Sequence, residues 1–233
     1  MKNEFYIVEQ PKKSVLTIIT VDSKLPMDEE KHKRICDLSL VSDIIFIFPK
    51  DSKKNIKAAV FASLYKACGY IESSEERLGN TLMRAFEYDK EIFNTHVLIM
   101  YTQLSDLVKI EGNKLQLLAS SDINKPIFKT RILSSSEFFE TYGIKKDKWY
   151  KKILKLIRRE NTEENNRYCT NTAESSCILL RPRTIKKLLE FSKKDNTGYV
   201  NSFTYQDQRY LLASMCDKLK IEIFDFNPEE VSL

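Results

Sequence analysis

Short apolar runs alternate with amphipathic stretches through the first hundred residues of the chain. Four runs are rich in branched and aromatic residues, at 15–21, 43–48, 70–72 and 96–101. Each of them predicts a strand. Three other stretches repeat apolar residues at helical spacing, and they are 27–40, 56–68 and 75–93. This alternation predicts an α/β fold, with a mixed, mostly parallel sheet flanked by helices in a single domain. Gly69 is placed to end the second helix as its C′ residue.

The second half of the chain is less regular. The runs 114–121 and 126–133 are predicted to pair as strands, and 137–159 is predicted to be helical in two pieces. The Asn-rich segment 160–172 lacks any periodicity, which predicts a loop. The remaining predictions are a strand at 176–182, helices at 184–192 and 205–219, and a last strand at 220–226.

Scarce residue types exclude several common kinds of site. The 233 residues include five glycines, and none are spaced as in a Rossmann dinucleotide site or a P-loop. The two histidines, His32 and His96, do not form the H-x-x-x-H of a zinc hydrolase. Neither a dinucleotide-dependent dehydrogenase nor a zinc enzyme of known spacing is therefore predicted.

The cysteines and the hydropathy indicate a cellular compartment. The chain has five cysteines, Cys36, Cys68, Cys169, Cys177 and Cys216. They form no C-x-x-C pair, which favours a reducing environment. We interpret them and His96 as core residues, because nothing in the sequence identifies a base for a nucleophilic thiol. The first residues do not have the pattern of a secretory signal, so none is expected, and no apolar run approaches the ~18 residues of a membrane span. A cytoplasmic location is predicted. If the protein is viral, this means the cytoplasm of the host cell.

Positive charge is concentrated in one segment. The formal net charge is +5, and residues 145–159 contain eight basic residues and one acid, so the rest is close to neutral. An apolar stripe of Trp149, Ile153, Leu156 and Ile157 runs through the segment at helical spacing. Such a basic helix binds an anionic membrane surface or a nucleic-acid backbone in some proteins. In others it covers a sheet and exposes its lysines.

Polar residues follow three of the predicted strands. Asp22 and Ser23 come after the first strand, Asp51 and Ser52 after the second, and Thr102 and Gln103 after the run 96–101. Ligands of parallel α/β sheets bind beyond the carboxyl ends of the strands. These residues are therefore candidates for a binding site, although Asp is also a common turn and N-cap residue at such places.

Three segments, in the right order, resemble the GT-A fold of nucleotide-sugar glycosyltransferases, and the first of them is similar to the family-2 enzymes. They are 46–55, beginning FIFPKDS, 70–100, beginning YIESSEERLGN, and 172–226, which contains FTYQDQRYLL. The resemblance covers most of 14–226. It implies a GT-A-like domain with a nucleotide-binding half at 1–110 and an acceptor half at 111–233. The implied substrates are a nucleotide-diphospho-sugar donor and an acceptor that is a glycan, a protein or a modified nucleic acid.

The resemblance also implies roles for individual residues. Asp22, Ser23, Asp51 and Ser52 would contact the base and ribose of the donor. Arg77 and Arg84 would neutralise its pyrophosphate, although both also fit a solvated helix face paired with nearby glutamates. Asp207 would be the catalytic base that deprotonates the acceptor hydroxyl, and its alternative role is the N-cap of the helix that follows.

One motif of the family is missing. Tyr101, Thr102 and Gln103 stand where relatives have D-x-D, whose carboxylates hold the Mn²⁺ or Mg²⁺ that bridges the diphosphate. The remaining candidate metal ligands are Gln103 and Asp106. Either a metal is held differently, or a basic residue replaces it, or the chain no longer catalyses transfer. We therefore expect little dependence on Mn²⁺.

Three hypotheses of different classes follow from the sequence. The first is a glycosyltransferase that uses a nucleotide-diphospho-sugar. The second is a catalytically degenerate GT-A-like protein that binds or scaffolds. The third is a protein that binds an anionic polymer or surface through 145–159. The ordered segments favour the first hypothesis, and the missing D-x-D favours the second.

Overall fold

A computed structural model describes most of the sheet and the helices packed on it. The described residues are 4–8, 10, 12–21, 27–49, 58–73, 85–86, 95–109, 111–134, 169–173, 177–194, 212–213, 215–216 and 219–226. Their strands are β1 (Glu4–Ile7), β2 (Val15–Thr20), β3 (Asp43–Pro49), β4 (Gly69–Ser73), β5 (Leu98–Gln103), β6 (Thr130–Ser134), β7 (Cys169–Ala173) and β8 (Ile178–Leu180). Their α-helices are α1 (Glu29–Val41), α2 (Ala58–Leu64), α3 (Gly112–Ser120) and α4 (Pro182–Lys194), and Leu104–Lys109 forms a 3-10 helix.

Six of the strands form one mixed sheet in the order β1-β4-β3-β2-β5-β8. The four central strands, β4, β3, β2 and β5, pair in parallel, while β1 and β8 add antiparallel edges. The predicted α/β fold with a mixed, mostly parallel sheet in a single domain is confirmed. The edge strand β1 was not predicted.

Both faces of the sheet are buried, as expected for parallel strands between two layers of helices. On one face Leu16 and Ile18 of β2 join a core with Tyr101 and with α4. On the other face Val15 and Ile19 join a core with α1, α2 and α3. Strands buried on both sides read as continuous apolar runs, which is why β2, β3 and β5 were recognised from the sequence.

Local chemistry explains where α1 begins and ends. Asp28 is its N-cap, and the carboxylate accepts a hydrogen bond from the backbone N–H of Lys31 at 2.8 Å. Ile35 and Leu38 are buried against the sheet. At the other end Ser42 donates its backbone N–H to Leu38 O. Strand β3 therefore begins at Asp43, directly after the C-cap of α1.

An aromatic cluster joins α2 to β3. Phe61 meets the rings of Phe46 and Phe48 edge to face, with centroids 5.0 and 5.7 Å apart. Tyr65, just after α2, lies 4.9 Å from Phe61. Edge-to-face packing is a preferred geometry of aromatic pairs. The cluster therefore packs α2 and Tyr65 against β3.

The segment 114–121 is a helix, so the predicted strand is wrong. It forms most of α3, in which Leu115 and Leu118 are buried while Leu117 is 46% exposed. Burial at positions three apart follows the helical period. Gly112 lets α3 approach α1 closely, because a Cβ there would lie 3.0 Å from Cγ2 of Val41.

Two other predictions in the second half are wrong. The predicted loop 160–172 is wrong over 169–172, which belong to β7 and pair antiparallel with β6, while 160–168 lies outside the described residues. The predicted strand 220–226 makes only an isolated bridge between Phe224 and Ile127. Both outcomes depend on pairing with distant segments, which local periodicity does not show. The strand predicted at 126–133 is realised only in β6.

The end of α2 also differs from the prediction. Gly69 was expected to be its C′ residue, but Gly69 is the first residue of β4. Lys66 takes the left-handed conformation instead, with φ of 51°. Its backbone N–H donates to Ser63 O at 3.1 Å. The helix therefore ends before the glycine that was predicted to end it.

Several predicted elements lie outside the described residues, namely 137–159 and most of 75–93 and 205–219. Within the described ranges, no helix has the length and apolar character needed to cross a membrane.

Candidate functional site

The sheet has a topological switch point between β2 and β5. From β2 the chain moves to β3 and then to β4 on one side, and β5 returns to the other side of β2. Connections that leave neighbouring parallel strands in opposite directions open a crevice at their carboxyl ends. The crevice outside Thr20 and Gln103, which are register partners, is therefore the candidate binding site.

Hydrogen bonding extends the edge of the sheet by one residue beyond β2. The backbone N–H of Val21 donates to Ile47 O at 2.9 Å. In the sequence, Asp22 and Ser23 follow Val21 directly. Because β2 and β3 are adjacent and parallel, the strands that precede Asp22 and Asp51 in the sequence end at the same edge of the sheet.

Most of the predicted site residues lie outside the described residues. They are Asp22, Ser23, Asp51, Ser52, Arg77, Arg84 and Asp207. Their roles stay predictions. The basic segment 145–159 also lies outside the described ranges, and its binding to an anionic surface likewise stays a prediction.

A buried pair of hydroxyls joins the two strands at the switch point. Thr20 Oγ1 and Tyr101 Oη lie 2.8 Å apart, and either atom can be the donor. Tyr101 is fully buried and Thr20 is 4% exposed. No local pattern in the sequence indicated this contact, because its partners are 81 residues apart.

The end of β5 does not fit a divalent metal as D-x-D does. The Tyr101 hydroxyl is bonded to Thr20, and Thr102 is buried. Gln103 Oε1 accepts a hydrogen bond from Ser105 Oγ at 3.4 Å. These are neutral oxygens engaged with protein partners, whereas Mg²⁺ and Mn²⁺ prefer carboxylates. No group of three or more metal-binding side chains occurs among the residues that the structure describes.

Asp106, the other candidate metal ligand, belongs to the 3-10 helix that follows β5. The backbone there turns immediately after the strand, and Leu104 and Leu107 are buried beneath it. The Asp106 side chain lies outside the described part of the structure. Its role as a ligand stays a prediction.

A polar cluster lies at the opposite, amino edge of the sheet. Asp43 Oδ2 accepts the backbone N–H groups of Lys12 and Lys13, both at 2.8 Å. His96 Nε2 lies 3.2 Å from the same oxygen, while His96 Nδ1 is buried and has no partner among the described residues. Burial raises the pKa of Asp43, but the hydrogen bonds from His96, Lys13 and Lys12 outweigh it, so the net pKa is lowered. This cluster joins β2, β3 and the start of β5.

Arg181 belongs to the same amino edge. It follows β8, which runs antiparallel to β5, so its side chain meets the start of β5 and the end of α3. It is 8% exposed, and burial lowers the pKa of its guanidinium. Its nitrogens donate at 2.8–3.1 Å to the carbonyls of Val97, Leu118, Ala119, Ser121 and Ile123. The basic residue after this strand therefore stabilises the fold and lies away from the crevice.

The cysteines differ in their surroundings. Cys68, Cys177 and Cys216 are buried, as is His96, in agreement with our interpretation. Cys36 is only partly buried on α1, and it lies beside His32. The i,i+4 spacing of these two residues was the sequence signal that could have revealed the pair.

Comparison with known proteins shows the fold. No protein-family model matches the chain, and no curated protein matches it by sequence. The crystal structure of 4-diphosphocytidyl-2C-methyl-D-erythritol synthase from Anaerococcus prevotii DSM 20548 is similar, with a TM-score of 0.51 and 11% identity, over 91% of this chain and 85% of that chain. A second 4-diphosphocytidyl-2C-methyl-D-erythritol synthase structure is similar with a TM-score of 0.51 and 8% identity, over 96% of this chain and 94% of that chain. Neither is named as a glycosyltransferase, so the family-2 resemblance stays a prediction.

Proposed function

We propose that the chain is an enzyme that transfers a sugar from a nucleotide-diphospho-sugar to an acceptor hydroxyl. The observation that carries the proposal is the switch point between β2 and β5, at the carboxyl end of the strand that precedes Asp22 and Ser23 in the sequence. The two similar structures support nucleotide use, because both are named for making a compound with a diphosphocytidyl group. Sugar transfer as such rests on the resemblance of the sequence segments.

The sheet suggests how the donor would be oriented. Since β2 and β3 end side by side, the carboxylates of Asp22 and Asp51 would accept hydrogen bonds from the base and ribose, with Ser23 and Ser52 beside them. The diphosphate would then extend across the crevice towards β5. Because the end of β5 offers neutral oxygens, we assign charge neutralisation to Arg77 and Arg84.

The proposed reaction is a displacement at the anomeric carbon. The acceptor oxygen attacks that carbon, its proton passes to the Asp207 carboxylate, and the nucleoside diphosphate leaves. Residues 212–213 and 215–216 support this placement of the base. They are helical, and their side chains pack in the same core as Tyr101, on the face of the sheet where Tyr101 meets Thr20. In the sequence, Asp207 lies five residues before the first of them.

The first test is binding of CDP, UDP, GDP and their sugars by calorimetry, with Mn²⁺ and with a chelator. A bound nucleotide at 100 times its Kd would stabilise the fold by about 2.7 kcal/mol, which is also visible in thermal unfolding. We expect binding that Asp22→Ala and Asp51→Ala weaken and that a chelator leaves intact. Asp122→Ala is the matched control. Asp122 is exposed and follows Ser121, whose carbonyl accepts from Arg181 at the amino edge, away from the proposed site. Equal binding by all three variants would overturn the proposed site.

The second test separates catalysis from binding. Asp207→Asn should lower turnover by roughly 10²–10⁴ while donor binding survives, because the base acts on the acceptor. Binding without transfer by the wild type would assign the chain to the degenerate, non-catalytic class. The buried Tyr101–Thr20 pair, in place of a D-x-D carboxylate, is the observation that favours that alternative.

A third outcome concerns the basic segment. If no nucleotide binds, retention on heparin, DNA or anionic vesicles becomes the deciding measurement. Changing Lys148, Lys152 and Lys155 to Glu should abolish that retention and flatten its salt dependence by about one unit of slope for each phosphate that a lysine no longer neutralises. Unchanged retention would assign 145–159 a structural role.

A further inference from the structure

A cleft of about 440 Å³ opens between the C-terminal ends of α1 and α2. Both helices end just before strands that start at the amino edge of the sheet, so the cleft lies at the opposite edge from the proposed nucleotide site. Its lining combines Cys36 and Tyr65 with the exposed side chains of Leu40 and Leu64. Lys13 and Lys66 also line it, against a single acid, Asp37, among the described residues.

The thiol of Cys36 belongs to a chain of three polar side chains. His32 lies one helical turn before it, and the two face each other with 3.9 Å between Cys36 Sγ and His32 Nε2. The other ring nitrogen, His32 Nδ1, lies 2.9 Å from the hydroxyl of Tyr65. Tyr65 is 3% exposed and is held by the aromatic cluster with Phe46 and Phe61. A buried side chain therefore orients the imidazole that faces the thiol.

The Tyr65 hydroxyl remains protonated near neutral pH, since burial, and to a lesser degree the nearby Cys36, raises its pKa. It can therefore either accept a hydrogen bond from His32 Nδ1–H or donate one to an unprotonated Nδ1. When it accepts, the lone pair of Nε2 points towards Cys36 Sγ. This is the arrangement of a nucleophile, its base and a group that orients the base. The sequence did not reveal it, because Tyr65 lies 33 residues after His32, just beyond the end of α2.

We propose that Cys36 is a nucleophilic thiol, activated by His32, that exchanges with small anionic disulfides bound in the cleft. The thiol proton passes to His32 Nε2, and the sulfur attacks one sulfur of the incoming disulfide. The old S–S bond breaks as the Cys36–S bond forms, and the leaving thiolate takes the proton from His32. Protein thiol and disulfide become protein mixed disulfide and free thiol, and a second thiol reverses the reaction.

The cleft favours this class of ligand. Two lysines against one aspartate make its described lining cationic, which suits a disulfide that carries carboxylates. Lys13 Nζ already donates to the carbonyls of Ser39 and Ser42 at the end of α1, so the charge of Lys13 is held in place. Lys66 is exposed at the rim. The exposed methyl groups of Leu40 and Leu64 offer an apolar surface to the alkyl part of the ligand.

The other described cysteines provide an internal comparison. Cys68 is 2% exposed and donates its thiol to Ile44 O at 3.2 Å. Cys177 and Cys216 are fully buried. None of these thiols is accessible in the folded protein, so modification of the native chain should be confined to Cys36 among them. The proposal is independent of the proposed sugar transfer.

The experiment uses the full chain with Cys169→Ser, which removes the one cysteine whose side chain lies outside the described part. The folded protein is treated with glutathione disulfide, and adducts are located by peptide mass spectrometry. We expect one adduct, on Cys36, that dithiothreitol removes. A Cys36→Ser, Ser120→Cys variant supplies the control, an exposed helical thiol on α3 with no histidine at i−4. Cys36 should react at least about 10-fold faster than that thiol. Equal rates would overturn the proposal.

Two further variants test the roles of the base and its orienting group. His32→Gln should slow the reaction by roughly 10-fold or more. Tyr65→Phe keeps the packing, and it should flatten the pH profile of the rate, which a purely structural role would not do. An unchanged rate in His32→Gln would refute activation by His32.

A last variant tests the charge of the cleft. Lys66→Gln should slow exchange with glutathione disulfide but not with the neutral hydroxyethyl disulfide. Equal effects of this substitution on both reagents would refute anion selection by the cleft.

Discussion

The hydroxyl groups of Thr20 and Tyr101 lie 2.8 Å apart, between the two strands that flank the switch point of the sheet. Ile18 is the register partner of Tyr101, and Thr20 is the partner of Gln103. The contact is therefore a diagonal one between neighbouring strands. Both residues are almost completely buried, so the hydrogen bond gives each hydroxyl a partner in the interior. This pair joins β2 and β5 close to their carboxyl ends.

The first prediction concerns this pair. Thr20→Val and Tyr101→Phe should each lower the free energy of unfolding by about 1–2 kcal/mol, because each removes one partner of a buried hydrogen bond. The double variant should cost less than the sum, with a coupling of about 1 kcal/mol. Urea denaturation of the four proteins measures it. Strict additivity would mean that the hydrogen bond contributes nothing.

The second prediction concerns acid stability. The pKa of Asp43 is lowered in the folded state, so its carboxylate stabilises the fold at pH values above its unfolded pKa. This contribution is lost as the pH falls from about 4 through the folded-state pKa. Asp43→Asn should therefore cost about 1–3 kcal/mol at pH 7, and the difference from wild type should shrink as the pH falls to about 3, as urea denaturation at each pH would measure.

The control for that prediction is Asp28→Asn. The pKa of Asp28 is also lowered, first by its side-chain hydrogen bond with Lys31, but the group is on the surface and Asn is an equally good N-cap. We expect a much smaller effect at every pH. A difference between wild type and Asp43→Asn that stays constant between about pH 7 and pH 3 would contradict the assigned role of the Asp43 carboxylate.

The third prediction concerns Arg181. Lysine at this position keeps the charge but cannot reach five carbonyls with one ammonium group. Arg181→Lys should lower the free energy of unfolding by at least about 3 kcal/mol, because several buried carbonyls lose their donor. Arg183→Lys, at an exposed position on α4, should change it by less than about 0.5 kcal/mol. Similar effects of both substitutions in urea denaturation would show that the network is not needed.

The fourth prediction concerns the end of α2. Lys66 has a φ of 51°, a conformation that costs about 1–2 kcal/mol for most residues but little for glycine. Lys66→Gly should therefore raise the free energy of unfolding by about 0.5–1 kcal/mol after the added entropy of the unfolded chain. Ala59→Gly, at an exposed helical position of α2, should lower it by up to about 1 kcal/mol. Thermal unfolding shows which substitution raises the free energy of unfolding and which lowers it.

The sequence was most informative where burial is uniform along an element. The strands β2, β3 and β5 and the helix α1 were predicted to within two residues or so, since continuous apolar runs and helical repeats are local properties. The predicted strand at 114–121 failed because Leu115, Leu117 and Leu118 fit either period. Packing against α1 decided for the helix by burying Leu115 and Leu118.

The candidate site was likewise predicted only in part from the sequence. That Asp22 and Asp51 follow apolar strands was evident from the sequence, and the structure adds that β2 and β3 end side by side at one edge. Arg181 follows the apolar strand β8, and its side chain is turned to the amino edge by the antiparallel pairing of β8 with β5. Strand direction in a sheet is a long-range property, so no local pattern indicated where Arg181 would lie.

The sequence by itself determined the class of the fold, the main strands and helices, and the polar residues available at the strand ends, because these depend on periodicity and composition over short stretches of chain. Only the tertiary structure decided the strand order, and with it the switch point between β2 and β5. It also decided which side chains meet: Tyr101 with Thr20, and Tyr65 with the His32–Cys36 pair. These contacts join residues 81 and 33 positions apart, and they form only when helices and strands pack around a common core.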